Sequence, residues 1–108
     1  MKKETYMKAL GAFESVQNML NNNRNDAPNQ CKIYFEHGVI FQSYGSIIAI
    51  RFNNGATRKG LKGKTVIGRD WNYSNTTGKY RNEFLSEGIS DTRIKIENRE
   101  YIYSEDLR

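Results

Sequence analysis

Apolar residues recur at helical spacing near the start of the chain and at alternate positions from Cys31 onward, so a helix followed by strands is the first expectation. Tyr6, Leu10, Phe13, Val16 and Leu20 fall three or four apart, with Lys8, Glu14, Ser15 and Asn18 between them. This spacing predicts an amphipathic helix over residues 4–20, its apolar stripe facing the core or a second copy. Gly11 weakens that helix by about 1 kcal/mol relative to alanine, unless it marks a close helix crossing. The next ten residues, NNNRNDAPNQ (21–30), combine turn-forming asparagines with the single proline, Pro28, and read as a surface loop.

From Cys31 the period becomes two. Cys31, Ile33 and Phe35 alternate with Lys32, Tyr34 and Glu36, and His37-Gly38 turns the chain into VIFQSY, so the pair reads as a hairpin. Gly45 permits a second reversal into SIIAIRF, whose near-continuous apolar run suits a central strand buried on both faces. Asn53-Asn54-Gly55 opens the next turn, and KTVIGRDW returns as a fourth strand. The expected meander therefore covers residues 31–36, 39–44, 46–52 and 64–71. Beyond Trp71, the capping residues Ser74, Asn75, Thr76 and Thr77 precede a Tyr80/Phe84 pair, which predicts a helix over about 76–86 stopped by Gly88. Residues 90–98 fit two readings: Ser90-Asp91 can cap a helix, while Ile94 and Ile96 alternate with charges as in a strand. Tyr101–Tyr103 look like a returning edge strand.

The predicted class is thus α+β in a single domain over residues 1–108: an N-terminal helix on a four-stranded, mostly antiparallel meander, then two short helices and an edge strand. With 108 residues and 37% hydrophobic content, such a chain can bury one core without a metal or disulfide. The N-terminal MKKETYMKAL is too polar for a signal segment and no apolar run is long enough to cross a bilayer, so a cytoplasmic location without membrane attachment is expected.

Charge changes the picture more than composition does. The net charge is +5, but residues 1–82 hold 13 Lys/Arg against 5 Asp/Glu, whereas residues 83–108 hold 4 against 7. Most of the excess lies in RFNNGATRKGLKGK (51–64), where Arg51, Arg58, Lys59, Lys62 and Lys64 stand among glycines with no acid. A loop of one sign between two strands suits a polyanion backbone; it also suits a merely solvated turn. Arg69, and Lys79 and Arg81 on the following helix, complete the candidate nucleic-acid contacts. With the hydroxyls of Ser74, Thr76 and Thr77 at a helix start, they give the layout of a winged element, in which a hairpin tracks the backbone beside a helix. The acidic tail then folds onto its own subunit or a neighbour, or repels nonspecific contacts.

Catalytic chemistry is sparse. The one histidine, His37, sits at a hairpin tip as a turn residue; the one cysteine, Cys31, sits on a strand; and no second His or Cys completes a zinc set. Asp70 stands among cations and is expected to pair with Arg69 or Arg51. RKGLKGK lacks the strand–GxxxxGK[ST]–helix order of a phosphate-cradling loop. No enzyme activity, cofactor, metal or small-molecule ligand is therefore expected. Trp71, Tyr73 and Tyr80 read either as core or as a base-stacking platform.

The stretch Trp71, Tyr73, Ser74, Thr76, Thr77, Lys79, Phe84, Leu85 has the form W-x-Y-S-x-T-T-x-K-x-x-x-x-F-L. In this it resembles a group of small uncharacterised proteins of bacteriophages and related mobile elements, a likeness that extends over residues 31–107. The resemblance implies a genetic setting and no activity. Together these readings lead to an expectation of a small phage- or plasmid-type DNA-binding protein, a regulator or an accessory factor for replication or transfer, acting as a homodimer on double-stranded DNA. The alternative is a protein that inhibits a host defence enzyme.

Overall fold

Gly11 decides how the chain begins. In the computed structural model, which describes residues 1–108, helix α1 covers Lys3–Leu10 and ends where Gly11 takes a φ of 75°, a left-handed conformation that glycine enters at no steric cost. A side chain there would also lie 2.9 Å from Glu36 Oε1 and from His37 Cδ2. The single helix expected over 4–20 is therefore divided, and Phe13–Leu20 form a strand, β1. Strand β2, Asp26–Phe35, begins five residues before Cys31 and absorbs part of the Asn-rich segment expected to be loop. Pro28 is accommodated because the β2–β3 ladder starts only at Gln30 and the β1–β2 register shifts between Asn18 and Leu20, so no ladder bond needs its missing N–H.

Strands β3 (Gly38–Ser43), β4 (Ser46–Phe52) and β5 (Thr65–Gly68) follow. Tyr44 and Gly45, with φ of 50° and 79°, join β3 to β4 in a two-residue reversal whose twist matches the strands. Helix α2 (Asn75–Leu85) and helix α3 (Ile89–Glu97) come next, then β6 (Ile102–Ser104). Residues 90–98 are thus resolved in favour of helix. The α+β class holds and the returning edge strand is present as β6, but the sheet has six strands rather than the expected meander of four plus that edge strand, in the order β1-β2-β3-β4-β5-β6. Every neighbouring pair is antiparallel except β5–β6, which is parallel.

The sheet is covered on both faces, and register shows how. Ile40, Ile50 and Val66 stand opposite one another on β3, β4 and β5. They pack with Tyr6, Ala9 and Leu10 of α1, with Ala56 and Leu61 of the β4–β5 loop, and with Leu107. One residue on, Phe41, Ala49 and Ile67 form a second row, which packs with Tyr80, Phe84 and Leu85 of α2 and with Tyr101. The near-continuous apolar run of β4 is thus buried on both sides, as its composition predicts.

Glu87, in the α2–α3 connection, fastens the helical layer. Its side chain is 6% exposed. It accepts hydrogen bonds from Lys95 Nζ at 2.7 Å, from the Tyr101 hydroxyl at 2.9 Å and from the Thr92 hydroxyl. Burial alone would raise the carboxyl's pKa, but these donors outweigh it and hold it below the usual carboxylate range. Burial, followed by the bond to Glu87, pushes the Tyr101 phenol up from 10 to about 12.

Replacing Glu87 by alanine takes the acceptor from Lys95 and the Tyr101 hydroxyl and leaves Thr92 only its longer bond to Gly88 O at 3.3 Å, and is expected to cost about 1–3 kcal/mol in urea unfolding. The phenol's contribution is complete below pH 10 and is lost as pH rises through about 12, because its folded pKa lies above the unfolded one. Tyr101→Phe is therefore expected to flatten the alkaline decline in stability between those values, measured as urea midpoints at successive pH.

Candidate nucleic-acid interface

The β4–β5 connection, residues 53–64, is a built loop. Its ends are tied by Phe52 N–H to Lys64 O at 2.9 Å and Gly63 N–H to Asn53 O at 3.2 Å, and the Asn53 side chain accepts from Gly55 N–H at 2.8 Å. A single 3₁₀ turn, Lys59–Leu61, carries Leu61 into the core, where Leu61 and Ala56 are fully buried. This is the compact, self-packed form of an Ω-loop. Arg58, Lys59, Lys62 and Lys64 project into solvent around those two anchors, and none of the four lies within 4.0 Å of a carboxylate oxygen.

Helix α1 packs on the same face, so its cations join those of the loop. Lys2, Lys3 and Lys8 are all exposed. The β2–β3 turn sits between the two elements: His37 N–H donates to Leu10 O at 2.9 Å, and Asn53 N–H to His37 O at 3.0 Å. Over residues 1–12 and 53–64, seven cations (Lys2, Lys3, Lys8, Arg58, Lys59, Lys62, Lys64) face one acid, Glu4. The rest of the chain holds 10 Lys/Arg and 11 Asp/Glu. The whole positive excess therefore resides in this layer, a grouping that sequence reading missed because α1 lies more than forty residues from the loop. Leu107 brings Glu105, Asp106 and Arg108 to its border, and Lys3 Nζ donates to Arg108 O at 3.1 Å. The acidic tail thus folds onto its own subunit.

Arg51, Lys79 and Arg81 are divided from the loop by the sheet. Arg51 belongs to the opposite face, its guanidinium 5.4 Å from the Phe84 ring centre. Lys79 donates to Asn22 Oδ1 at 3.0 Å and lies over the Tyr80 ring. Arg69 is exposed just after β5. The winged layout fails for the same reason, since α2 packs across the sheet from the loop. Ser74 does cap α2, accepting from Thr77 N–H at 3.1 Å, and the Thr77 hydroxyl is tied to that of Ser43 at 2.9 Å.

Arg81 is the clearest correction. It is 1% exposed and donates to Trp71 O at 2.8 Å and Asn82 Oδ1 at 2.9 Å, with its guanidinium over the Trp71 ring. Burial, then the neighbouring Arg93, lower its pKa. It holds the Trp71 turn against α2 and has no access to a phosphate. Of the aromatic set, Tyr80 is core, Trp71 is half-buried beneath Arg81 and Arg93, and Tyr73 is exposed.

The one histidine and the one cysteine lie six residues apart, His37 in the β2–β3 turn and Cys31 on β2. His37 Nε2 lies 2.9 Å from Glu36 Oε1 in the β2–β3 turn. Cys31 stands opposite Asn18 on β2, and burial raises its thiol pKa away from the reactive thiolate. Asp70 forms no ion pair with Arg69 or Arg51, the latter being occupied against Phe84. No helix is long and apolar enough to cross a membrane.

This α+β chain belongs to a family of unknown function, DUF8033, whose pattern matches residues 1–103 and so takes in α1, the basic loop and both later helices. No curated protein and no solved structure matches it.

Arg81→Met is expected to lower stability by about 1–3 kcal/mol, because the Trp71 and Asn82 oxygens lose their donor. The urea midpoint measures it; an unchanged midpoint would remove the buried guanidinium from the fold's supports.

Proposed function

We propose that this protein binds nucleic acid, double-stranded DNA first, through the layer formed by α1 and the β4–β5 loop. The observation that carries the reading is the concentration of the chain's positive excess in that layer, with its four loop cations free of carboxylate partners. Phosphates neutralised by such side chains release condensed counterions, and that release drives sequence-independent affinity. Arg58, Lys59, Lys62 and Lys64 supply the centre of the contact, and Lys2, Lys3 and Lys8 extend it along α1. Leu61 and Ala56 hold the loop in shape, so little ordering entropy is lost on binding.

The role inferred is binding rather than catalysis, because what the layer concentrates is positive charge. The motif from Trp71 to Leu85 supports a phage or plasmid setting, in which such a protein acts in the cytoplasm as a regulator or as an accessory factor in replication or transfer. An acidic host protein presents similar charge to the same layer.

A fluorescence titration against duplex DNA at several salt concentrations tests the proposal. The slope of log K against log salt is about −0.9 per phosphate contacted. Changing Lys59, Lys62 and Lys64 together to alanine is expected to reduce its magnitude by about 2–3, while Lys79→Ala, on the opposite face, leaves it unchanged. Unchanged slope and affinity in the triple variant would remove the loop from the site. Recovery of a stoichiometric acidic protein from nuclease-treated lysate, with no duplex binding, would replace DNA by a protein partner.

A further inference from the structure

The two edges of the sheet are unequal. β6 has 3 residues, whereas β1 has 8 and borders only β2. Natural sheets blunt an open edge with proline, lysine, short length or a covering element. β1 contains neither proline nor lysine, has Glu14 as its one charge, and is exposed at every position except Met19. Its exposed side chains include Phe13, Val16 and Leu20 at 59%, 55% and 51%. Val16 stands opposite Ile33 and Phe13 opposite Phe35, the two phenyl rings meeting edge to face at 6.0 Å. Ile33 and Phe35 in turn pack against the core beneath α1. An apolar stripe therefore runs from that core to the rim of the sheet and stops in solvent.

We propose that β1 pairs antiparallel with β1 of a second copy, about a two-fold axis normal to the sheet at Val16. Register shifts between Phe13 and Ser15 and between Asn18 and Leu20 leave Ser15–Asn18 as the regular stretch, and its outward backbone groups are satisfied best by another extended strand. Opposed residues in an antiparallel pair share a face, so two-fold pairing of that stretch sets either Val16 or Gln17 against itself, with three of its four residues overlapping. Val16 on the axis is the arrangement that buries the stripe. The charge is that of a self-contact: over residues 13–35, Glu14 and Asp26 balance Arg24 and Lys32. Two copies of a +5 chain thus meet at a neutral surface, which gives a strongly charged partner nothing to recognise.

A two-fold axis normal to the sheet joins the two six-stranded sheets into one continuous sheet, whose twist of about 20–25° per strand turns the two basic layers away from each other. The pairing does not depend on the nucleic-acid reading above.

Sedimentation equilibrium without nucleic acid tests the pairing. The chain is expected to dimerise, at twice its 12.5 kDa mass, and Val16→Lys, which sets a cation against its own image, is expected to weaken association at least tenfold. A Val16→Cys, Cys31→Ser variant is expected to form a disulfide-linked dimer on mild oxidation, which keeps the test decisive if Val16→Lys fails to fold by circular dichroism. A monomer up to hundreds of micromolar, or a folded Val16→Lys variant that dimerises as tightly as the parent, would overturn the proposal. Because no nucleic acid is present, either result leaves the DNA titration to be judged separately.

Discussion

Burial of β3, β4 and β5 on both faces is the constraint from which the rest follows. Ile40, Ile50 and Val66 on one side and Phe41, Ala49 and Ile67 on the other need a cover, because each Ile, Val or Phe side chain gains about 1.5–3 kcal/mol by leaving water. The chain supplies α1, the β4–β5 loop and Leu107 to the first row, and α2 and Tyr101 to the second. The sheet thus acts as a partition. Which cations can act together is decided by which row their element covers, and nearness in sequence counts for little: Arg51 and Arg58 are seven residues apart and lie against different rows.

That partition explains why the expected set of eight cations separates. Arg58, Lys59, Lys62 and Lys64 stay together because Leu61 and Ala56 draw their loop onto the α1 face. Lys79 and Arg81 leave with α2, whose Tyr80, Phe84 and Leu85 belong to the opposite core. In exchange the layer gains Lys2, Lys3 and Lys8, which no local reading of the loop could have supplied.

Much of the fold was legible, and the failures have identifiable causes. The strands from Ile33 to Phe52 and the helix after Ser74 were readable because periodicity, turn residues and a capping serine all agree there. The first helix was overextended because Phe13, Val16 and Leu20 happen to continue the spacing of Tyr6 and Leu10, although they occupy an edge strand and remain exposed. Gly11 carried the contrary signal, but whether a glycine bends a helix or ends it depends on the Glu36–His37 turn that packs against it. Arg81 was misread for a related reason. An arginine on an amphipathic helix looks solvated until the Trp71 carbonyl and ring arrive from a distant turn to receive it. The loop itself was recognised from composition, since a run of cations without acids needs no tertiary knowledge; its partner helix did.

The sheet lists its strands in the order the chain makes them, from β1 to β6. The hairpins from β1 to β4 each close across two to five residues and β4–β5 across twelve, so the loop-closure entropy of those steps is small and they are open to fast, local assembly. The parallel β5–β6 pairing is the exception: it must wait for both intervening helices, since parallel neighbours need a crossover. During synthesis, then, the meander can zip up as it emerges from the ribosome, and β6, with Leu107 behind it, acts as a latch that locks only after both helices have been made.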